Sequence, residues 1–263
     1  MLTTLKKKPF LTSILIVFLY ALWFIVHMLF TKQDPNAHGI SGINGALKML
    51  KPELITAGVL LVFVAMLGWW KQIGFVAIKK GGVKFLIPIC LLILLMLSKS
   101  WTSNHTHSWF MGFQSPQQLS EMLGIIFLLG FVEEGIFRGV LFYGLSTKLK
   151  PFYTVFVSAL VFGLFHAVNI FAGADPLNTF YQMVHAFSMG FLYASLRLKI
   201  GAIWPLMILH GLWDFSLFIL QTTAFTSIKQ SVSITASLTA GFMISAPAIL
   251  YGIFVYWRWS KTK

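Results

Sequence analysis

The sequence predicts an all-α fold, a polytopic membrane bundle of about eight transmembrane helices, multi-pass in the cell membrane, with both termini cytoplasmic. Composition is the first reason, because 57% of the residues are hydrophobic and only 10% are charged, whereas soluble domains carry about 25% charged residues. The mean hydropathy of +0.81 agrees with this class. The second reason is that apolar residues occur in runs of about 17–25, the length at which a helix crosses a bilayer.

Each apolar run is expected to form one spanning helix. The first run follows Lys6-Lys7-Lys8 and resembles a signal peptide, but it exceeds the apolar part of one, about 7–15 residues, so we expect it to be retained. The third run is short, and the fourth is long enough to tilt or protrude. The predicted spans are 9–30, 54–72, 83–99, 119–145, 152–173, 177–196, 202–221 and 233–257.

Basic residues orient these helices and account for the net charge of +13. With the N-terminus in the cytoplasm, fourteen of the twenty Lys and Arg residues fall on the inner side and five on the outer side, and Arg138 stays within a span. This bias is the positive-inside pattern of membrane proteins. Because the cations lie at the ends of apolar runs, we expect the lipid bilayer, and no nucleic acid, as their partner.

Three regions are expected along the chain. Residues 1–117 hold the first three helices and the outer loops, residues 118–222 hold helices four to seven, and residues 223–263 hold the last helix and a basic tail. The outer loop 100–118 contains His105 and His107, a pair that can bind a metal but that we interpret as part of a solvated interfacial loop.

Ionisable side chains at membrane depth are few, since each such charge costs at least about 2.5–3.5 kcal/mol. At a rise of about 1.5 Å per residue, Glu133, His166 and Asp214 lie about 18–21 Å, and His210 about 12 Å, from the cytoplasmic helix ends. Helices four to seven therefore carry one polar layer. All the ionisable residues within the spans except His27 lie in these four helices; the full set is His27, Glu133, Glu134, Arg138, His166, His185, His210 and Asp214.

Helical spacing predicts which of these side chains share a face. Glu134 and Arg138 are four residues apart and are expected to form an ion pair. Glu133 points about 100° away from Glu134, and we expect it to approach His166, because a short turn joins helices four and five. The same spacing relates two further pairs, Phe162 with His166 and His210 with Asp214.

Two kinds of hydrolytic chemistry fit this set. A carboxylate and an imidazole can hold and deprotonate a water molecule, and a second His with an Asp can stabilise an oxyanion. Alternatively, Glu133, His166 and His210 can hold a divalent metal such as zinc with one open position. The zinc motif His-Glu-x-x-His is absent from the sequence, so that motif does not support a metal. The cofactor is therefore either a divalent metal or none.

Three motifs in this order resemble the CAAX protease and bacteriocin-processing (CPBP) family, also called Abi or type II CAAX prenyl endopeptidase-like. The resemblance covers roughly 118–222, which would make that region the catalytic core. The motifs are Glu133-Glu134-Gly-Ile-Phe-Arg138, Phe162-Gly-Leu-Phe-His166 and His210-Gly-Leu-Trp-Asp214.

The resemblance implies an intramembrane endopeptidase in a bacterial membrane, acting on a membrane-associated peptide or leader. Glu133 would be the general base with His166, and His210 with Asp214 would stabilise the oxyanion. The supporting residues would be Glu134, Arg138 and Phe162.

One departure from the family concerns Asp214, where Asn is common. An ionised carboxylate cannot donate to an oxyanion, so Asp214 is either protonated or orients His210. Two other functions stay open. One is a non-catalytic membrane protein that confers bacteriocin self-immunity or scaffolds a partner. The other is an ion- or proton-coupled transporter, for which the sequence shows no internal repeat.

Overall fold

A computed structural model describes the backbone of residues 2–30, 43–103, 113, 115–227 and 234–262, and the side chains of 2–30, 50–99, 113, 115–219 and 245–262. Over these ranges the chain forms helices and no strand, which confirms the predicted all-α class. His105 and His107 lie outside the described residues, so their interpretation stays a prediction.

The N-terminal part of the described chain contains five α-helices and one 3₁₀ turn. In order they are α1 (Leu2–Lys7), α2 (Pro9–Phe30), α3 (Ile43–Leu67), α4 (Trp70–Ile73), a 3₁₀ turn (Val83–Phe85) and α5 (Ile87–Ser103). α3 ends where Gly68 adopts a φ of 66°, a left-handed conformation that glycine enters without strain. Gly74, with a φ of 104°, ends α4 in the same way.

The C-terminal part contains longer helices, three of which begin with proline at the first position. In order they are α6 (Pro116–Glu134), a π-helical segment (Gly135–Leu141), α7 (Phe142–Ser146), α8 (Pro151–Phe165), a 3₁₀ segment (His166–Ala172), α9 (Pro176–Ile200), α10 (Trp204–Ser227) and α11 (Ile234–Ser260). Ser115 caps α6, since its hydroxyl accepts a hydrogen bond from the backbone N–H of Gln118.

All eight predicted runs fall on helical chain, but the second helix differs from the predicted span 54–72 at both ends. It stops at Leu67, because Gly68 turns the chain. It begins at Ile43, so Glu53, which the predicted span left outside, is helical. An apolar run marks only the hydrophobic middle of a helix, and the polar first turns of α3 lie outside it.

Three helices in the described part of the chain are long and apolar enough to cross a membrane. They are Pro9–Phe30, Leu50–Leu67 and Pro151–Ala172, and Ile87–Lys99 and Trp204–Ile219 are shorter apolar helices. Their outer faces carry large exposed apolar side chains such as Phe18 and Leu91, as expected of a surface in contact with lipid. The count of eight spans and the cytoplasmic side of the termini stay predictions.

Two helices form the centre of the bundle. α9 packs against α8 and α11, and α6 packs against α3 and α10. The C-terminal end of α6, with Glu133 and Glu134, therefore lies between helices contributed by both halves of the chain.

Candidate active site

The site is positioned by a close crossing of α6 and α10. A Cβ atom added to Gly130 would lie 2.5 Å from the carbonyl oxygen of Met207 and 2.9 Å from the backbone nitrogen of Gly211. Such distances leave no room for a side chain, so the two backbones approach directly. Glu133 lies almost one turn beyond Gly130, and His210 directly precedes Gly211, so the crossing brings carboxylate and imidazole together.

His210 lies among three carboxylates. Its Nδ1 is 2.8 Å from Oε1 of Glu134, and its Nε2 is 3.5 Å from Oε2 of Glu133 and 3.4 Å from Oδ2 of Asp214. The side chain of Glu134 is fully buried, whereas those of Glu133 and Asp214 are 14% and 34% exposed. The ring is thus anchored on its buried side, and its other nitrogen faces the open side of the site.

Arg138 forms the predicted ion pair with Glu134. Its guanidinium donates to Oε1 of Glu134 over 2.9 Å, and both side chains are fully buried. The guanidinium also lies over the ring of Phe162, 3.9 Å from its centroid, which stabilises a cation by interaction with the aromatic face. Because His210 binds the same oxygen of Glu134, the ion pair and the imidazole form one network.

The chain directly after Glu134 is π-helical, and every residue from Gly135 to Leu141 is buried. Such wide turns occur often at functional sites. A sequence read with a period of 3.6 residues cannot reveal one, so this feature was missed. The segment packs closely at Gly135 and Gly139, where added Cβ atoms would lie 2.7 Å from Leu60 and 3.1 Å from Ile203.

His166 begins the 3₁₀ segment at the end of α8. Its Nδ1 is 2.9 Å from the carbonyl oxygen of Phe162, which can only accept, so Nδ1 carries the proton and Nε2 of the neutral ring is an acceptor. Its ring meets that of Phe162 edge-on at 4.9 Å, and Phe162 is also 6.1 Å from the ring of His210. His166 interacts electrostatically with His210 and Asp214, so it belongs to the same site.

The expected pairing of Glu133 with His166 differs from the observed one. Among the described side chains, the ion pair of Glu133 is with His210. The physical reason is that the α6–α10 crossing is closer than helix spacing predicts, while the ring of His166 is held by the carbonyl of Phe162.

The other two predicted histidines have packing contacts. Nδ1 of His185 lies 3.3 Å from the hydroxyl of Ser245, and its ring stacks on that of Trp213 at 6.0 Å. His27 stacks on Trp23 within α2 at 6.1 Å. His185 makes no ion pair with a carboxylate in the described part of the chain.

Two residues near the site were missed. Tyr193 of α9 lies 5.8 Å from the ring of His210, and its buried hydroxyl has no hydrogen-bond partner within the described ranges. Nothing in its spacing separates it from other aromatic core residues. Glu53 of α3 is fully buried on the helix face whose Leu60 contacts Gly135, next to the glutamates. Its helical spacing from Ala57 and Leu60, three or four residues apart, could have revealed it, although it lies just before the predicted span 54–72.

A metal centre was the alternative chemistry. Among the residues that the structure describes, no group of three or more His, Cys, Asp and Glu side chains is arranged to hold a metal ion. Nδ1 of His210 faces Glu134 and its Nε2 faces Glu133 and Asp214. In this arrangement Glu133, His166 and His210 do not form a three-ligand zinc site, and no step below is derived through a metal.

Residues 115–216 match the family model described as type II CAAX prenyl endopeptidase Rce1-like. This segment belongs to that family. Neither a curated protein nor a solved structure matches the chain. The Rce1-like segment begins at the capping residue Ser115, ends at Ser216 within α10 and contains all three motifs. It agrees with the CPBP resemblance, and together with the apolar helices it supports a membrane protein with a protease-like segment. The predicted boundaries of 118 and 222 stay predictions.

Proposed function

We propose that this protein is an intramembrane endopeptidase that hydrolyses a peptide bond of a membrane-associated peptide or leader with a water molecule activated by Glu133. The observation that carries the proposal is the placement of His210 between Glu133, Glu134 and Asp214. The Rce1-like family of the segment supports the same class of reaction.

The two glutamates have different environments, and this difference assigns their roles. Oε1 of Glu134 accepts from both Arg138 and His210, and the side chain is fully buried. Glu133 is partly exposed. Its oxygen lies 3.5 Å from His210, farther than the 2.8 Å between Glu134 and His210. A general base must reach the water that it deprotonates. Glu133 is therefore the base, and Glu134 holds His210 and Arg138 in place.

Hydrolysis then proceeds in two steps. The carboxylate of Glu133 takes a proton from water, and the hydroxide oxygen attacks the carbonyl carbon of the substrate. Asp214 orients the ring beforehand, since its Oδ2 lies 3.4 Å from Nε2 of His210. The N–H at Nε2 then turns to the resulting oxyanion and stabilises it. The proton on Glu133 passes to the amide nitrogen as the C–N bond breaks, which leaves a carboxylic acid, an amine and the Glu133 carboxylate. His166, through Nε2, accepts a hydrogen bond from the attacking water.

The test is cleavage of lipid-anchored fluorogenic peptides by purified protein in detergent, wild type beside Glu133→Gln. Because general acid–base catalysis contributes about 10²–10⁴-fold, we expect a loss of this size in Glu133→Gln. The matched control is Glu121→Gln, on the exposed surface of the same helix, where Glu121 bonds only to Gln117 among the described residues. Full activity in Glu133→Gln would overturn the proposal.

Two further arms separate the alternatives. Cleavage should persist in the presence of a chelator, and loss of activity that zinc restores would support the metal-dependent mechanism. If the protein acts without catalysis in bacteriocin self-immunity or as a scaffold, cells expressing Glu133→Gln should be protected as well as wild-type cells.

A further inference from the structure

Glu53 is a buried carboxyl group that the proposed mechanism does not use. It lies on α3, its side chain is fully buried, and neither carboxylate oxygen has a hydrogen-bond partner among the described residues. The hydroxyl of Tyr20, on α2, is likewise buried and without a partner there. Buried polar groups almost always have a partner, from the protein or from ordered water, so each of these groups needs an explanation.

The position of Glu53 follows from the buried stripe of α3. Glu53, Ala57, Leu60 and Val64 recur every three or four residues and are all buried, so they share one face of the helix. Leu60 on this face touches the start of the π-helical segment, since a Cβ atom on Gly135 would lie 2.7 Å from it. Glu53 therefore lies on the face of α3 that packs against the end of α6.

Tyr20 reaches the same region from another helix. It shares a hydrophobic cluster with Ala57, Leu60 and Val132, the residue before Glu133. Its ring lies 6.2 Å from that of Phe137, in the π-helical segment that follows Glu134. Three polar groups from three helices, those of Glu53, Tyr20 and Glu133, thus flank one buried region, and neither Glu53 nor the hydroxyl of Tyr20 has a hydrogen-bond partner among the described residues.

We propose that Glu53 and Tyr20 hold an internal water site that supplies hydrolytic water to Glu133. The proposal rests on the proposed function, because a hydrolase inside a membrane consumes one water molecule per peptide bond and must take it from an apolar environment. A buried water needs about two to four polar partners, which the carboxyl of Glu53, the hydroxyl of Tyr20 and the carboxyl of Glu133 provide. Glu53 and Tyr20 act through the water and are positioning residues.

The kinetic test compares Glu53→Gln and Glu53→Leu with wild type. Gln keeps groups that bind water, so its kcat should stay near that of wild type. Leu removes them, and kcat should fall by about 10- to 100-fold with KM unchanged, because the water loses its position. Thermal unfolding separates this role from a structural one: an apolar residue in place of an unpartnered carboxyl should leave Tm unchanged or raise it. The control is Thr56→Val, on the same helix, whose hydroxyl bonds only to the carbonyl of Pro52 among the described residues.

A second measurement does not depend on cleavage. X-ray radiolysis labels side chains beside ordered water, and mass spectrometry reads the labelling of Tyr20 relative to its buried ring neighbour Phe137. Labelling of Tyr20 should fall in Glu53→Leu and persist in Glu53→Gln. Unchanged labelling in Glu53→Leu, or a Glu53→Leu protein with wild-type kcat, overturns the water site. If only the proposed function is wrong, the wild-type protein shows no cleavage, but labelling of Tyr20 still falls in Glu53→Leu. The two failures are therefore distinguishable.

Discussion

His210 and Glu134 are 76 residues apart in the chain, yet Nδ1 of His210 lies 2.8 Å from Oε1 of Glu134 in the buried interior. The same oxygen accepts from Arg138 over 2.9 Å. Glu134 therefore connects a buried cation with the imidazole that faces Glu133. This shared oxygen is the reason why the two adjacent glutamates should respond differently to the same substitution.

Glu134→Gln should destabilise the protein, whereas Glu133→Gln should not. Removing one partner of a buried ion pair leaves the other charge uncompensated and costs about 3–5 kcal/mol, and Arg138 is fully buried. Thermal unfolding in detergent measures the difference. Equal unfolding temperatures for the two variants would contradict the assigned roles.

The double variant Glu134→Gln with Arg138→Met should recover most of the lost stability. It removes both buried charges and keeps the volume of the arginine side chain approximately. Cleavage should stay low, since His210 has lost the carboxylate that orients its ring. Recovery of activity together with stability would mean that Glu134 serves only the ion pair.

Gly130→Ala should reduce both stability and cleavage. The added methyl group would lie 2.5 Å from the carbonyl oxygen of Met207, and such overpacking costs about 1–3 kcal/mol while moving α10 and its histidine away from α6. Gly124→Ala is the matched control on the same helix, where a Cβ atom meets nothing within 4 Å. It should leave cleavage unchanged and stabilise the helix slightly. Thermal unfolding and cleavage rates check both, and a Gly130→Ala protein with wild-type activity would show that the crossing tolerates separation.

Phe162→Leu should weaken the network around Arg138. The guanidinium lies 3.9 Å from the ring centroid of Phe162, and a desolvated contact of this kind contributes about 2 kcal/mol. Phe156→Leu changes a partly exposed ring of the same helix and should cost less. The free energies of unfolding of the two variants provide the comparison, and similar values would exclude a special role for the ring of Phe162.

Asp214→Asn should keep cleavage within about tenfold of wild type, because an amide oxygen can still accept from His210 and the amide N–H can donate to an oxyanion. Asp214→Leu has neither an acceptor for His210 nor a donor for the oxyanion, so its kcat should fall by about 10²–10³-fold. The measurement is kcat for the two variants beside wild type. If the Asp214→Asn protein is as inactive as the Asp214→Leu protein, cleavage requires the negative charge of Asp214.

Local patterns predicted much of the site. A spacing of four residues was sufficient for the pair of Glu134 and Arg138, which lies within one continuous stretch of helix. The same reasoning placed His210 beside Asp214. It did not find that Glu133 pairs with His210, because partners on different helices depend on how those helices cross and rotate.

The sequence by itself determined the all-helical class and the approximate helix positions, since both follow from apolar runs and local hydrogen bonding. It also determined which residues carry the three motifs of the Rce1-like segment. Only the tertiary structure decided that a glycine contact brings α10 onto the glutamates, that the chain after Glu134 is π-helical, and that Glu53 is buried beside the site. These features depend on close packing between segments far apart in the chain, and no local period encodes that packing.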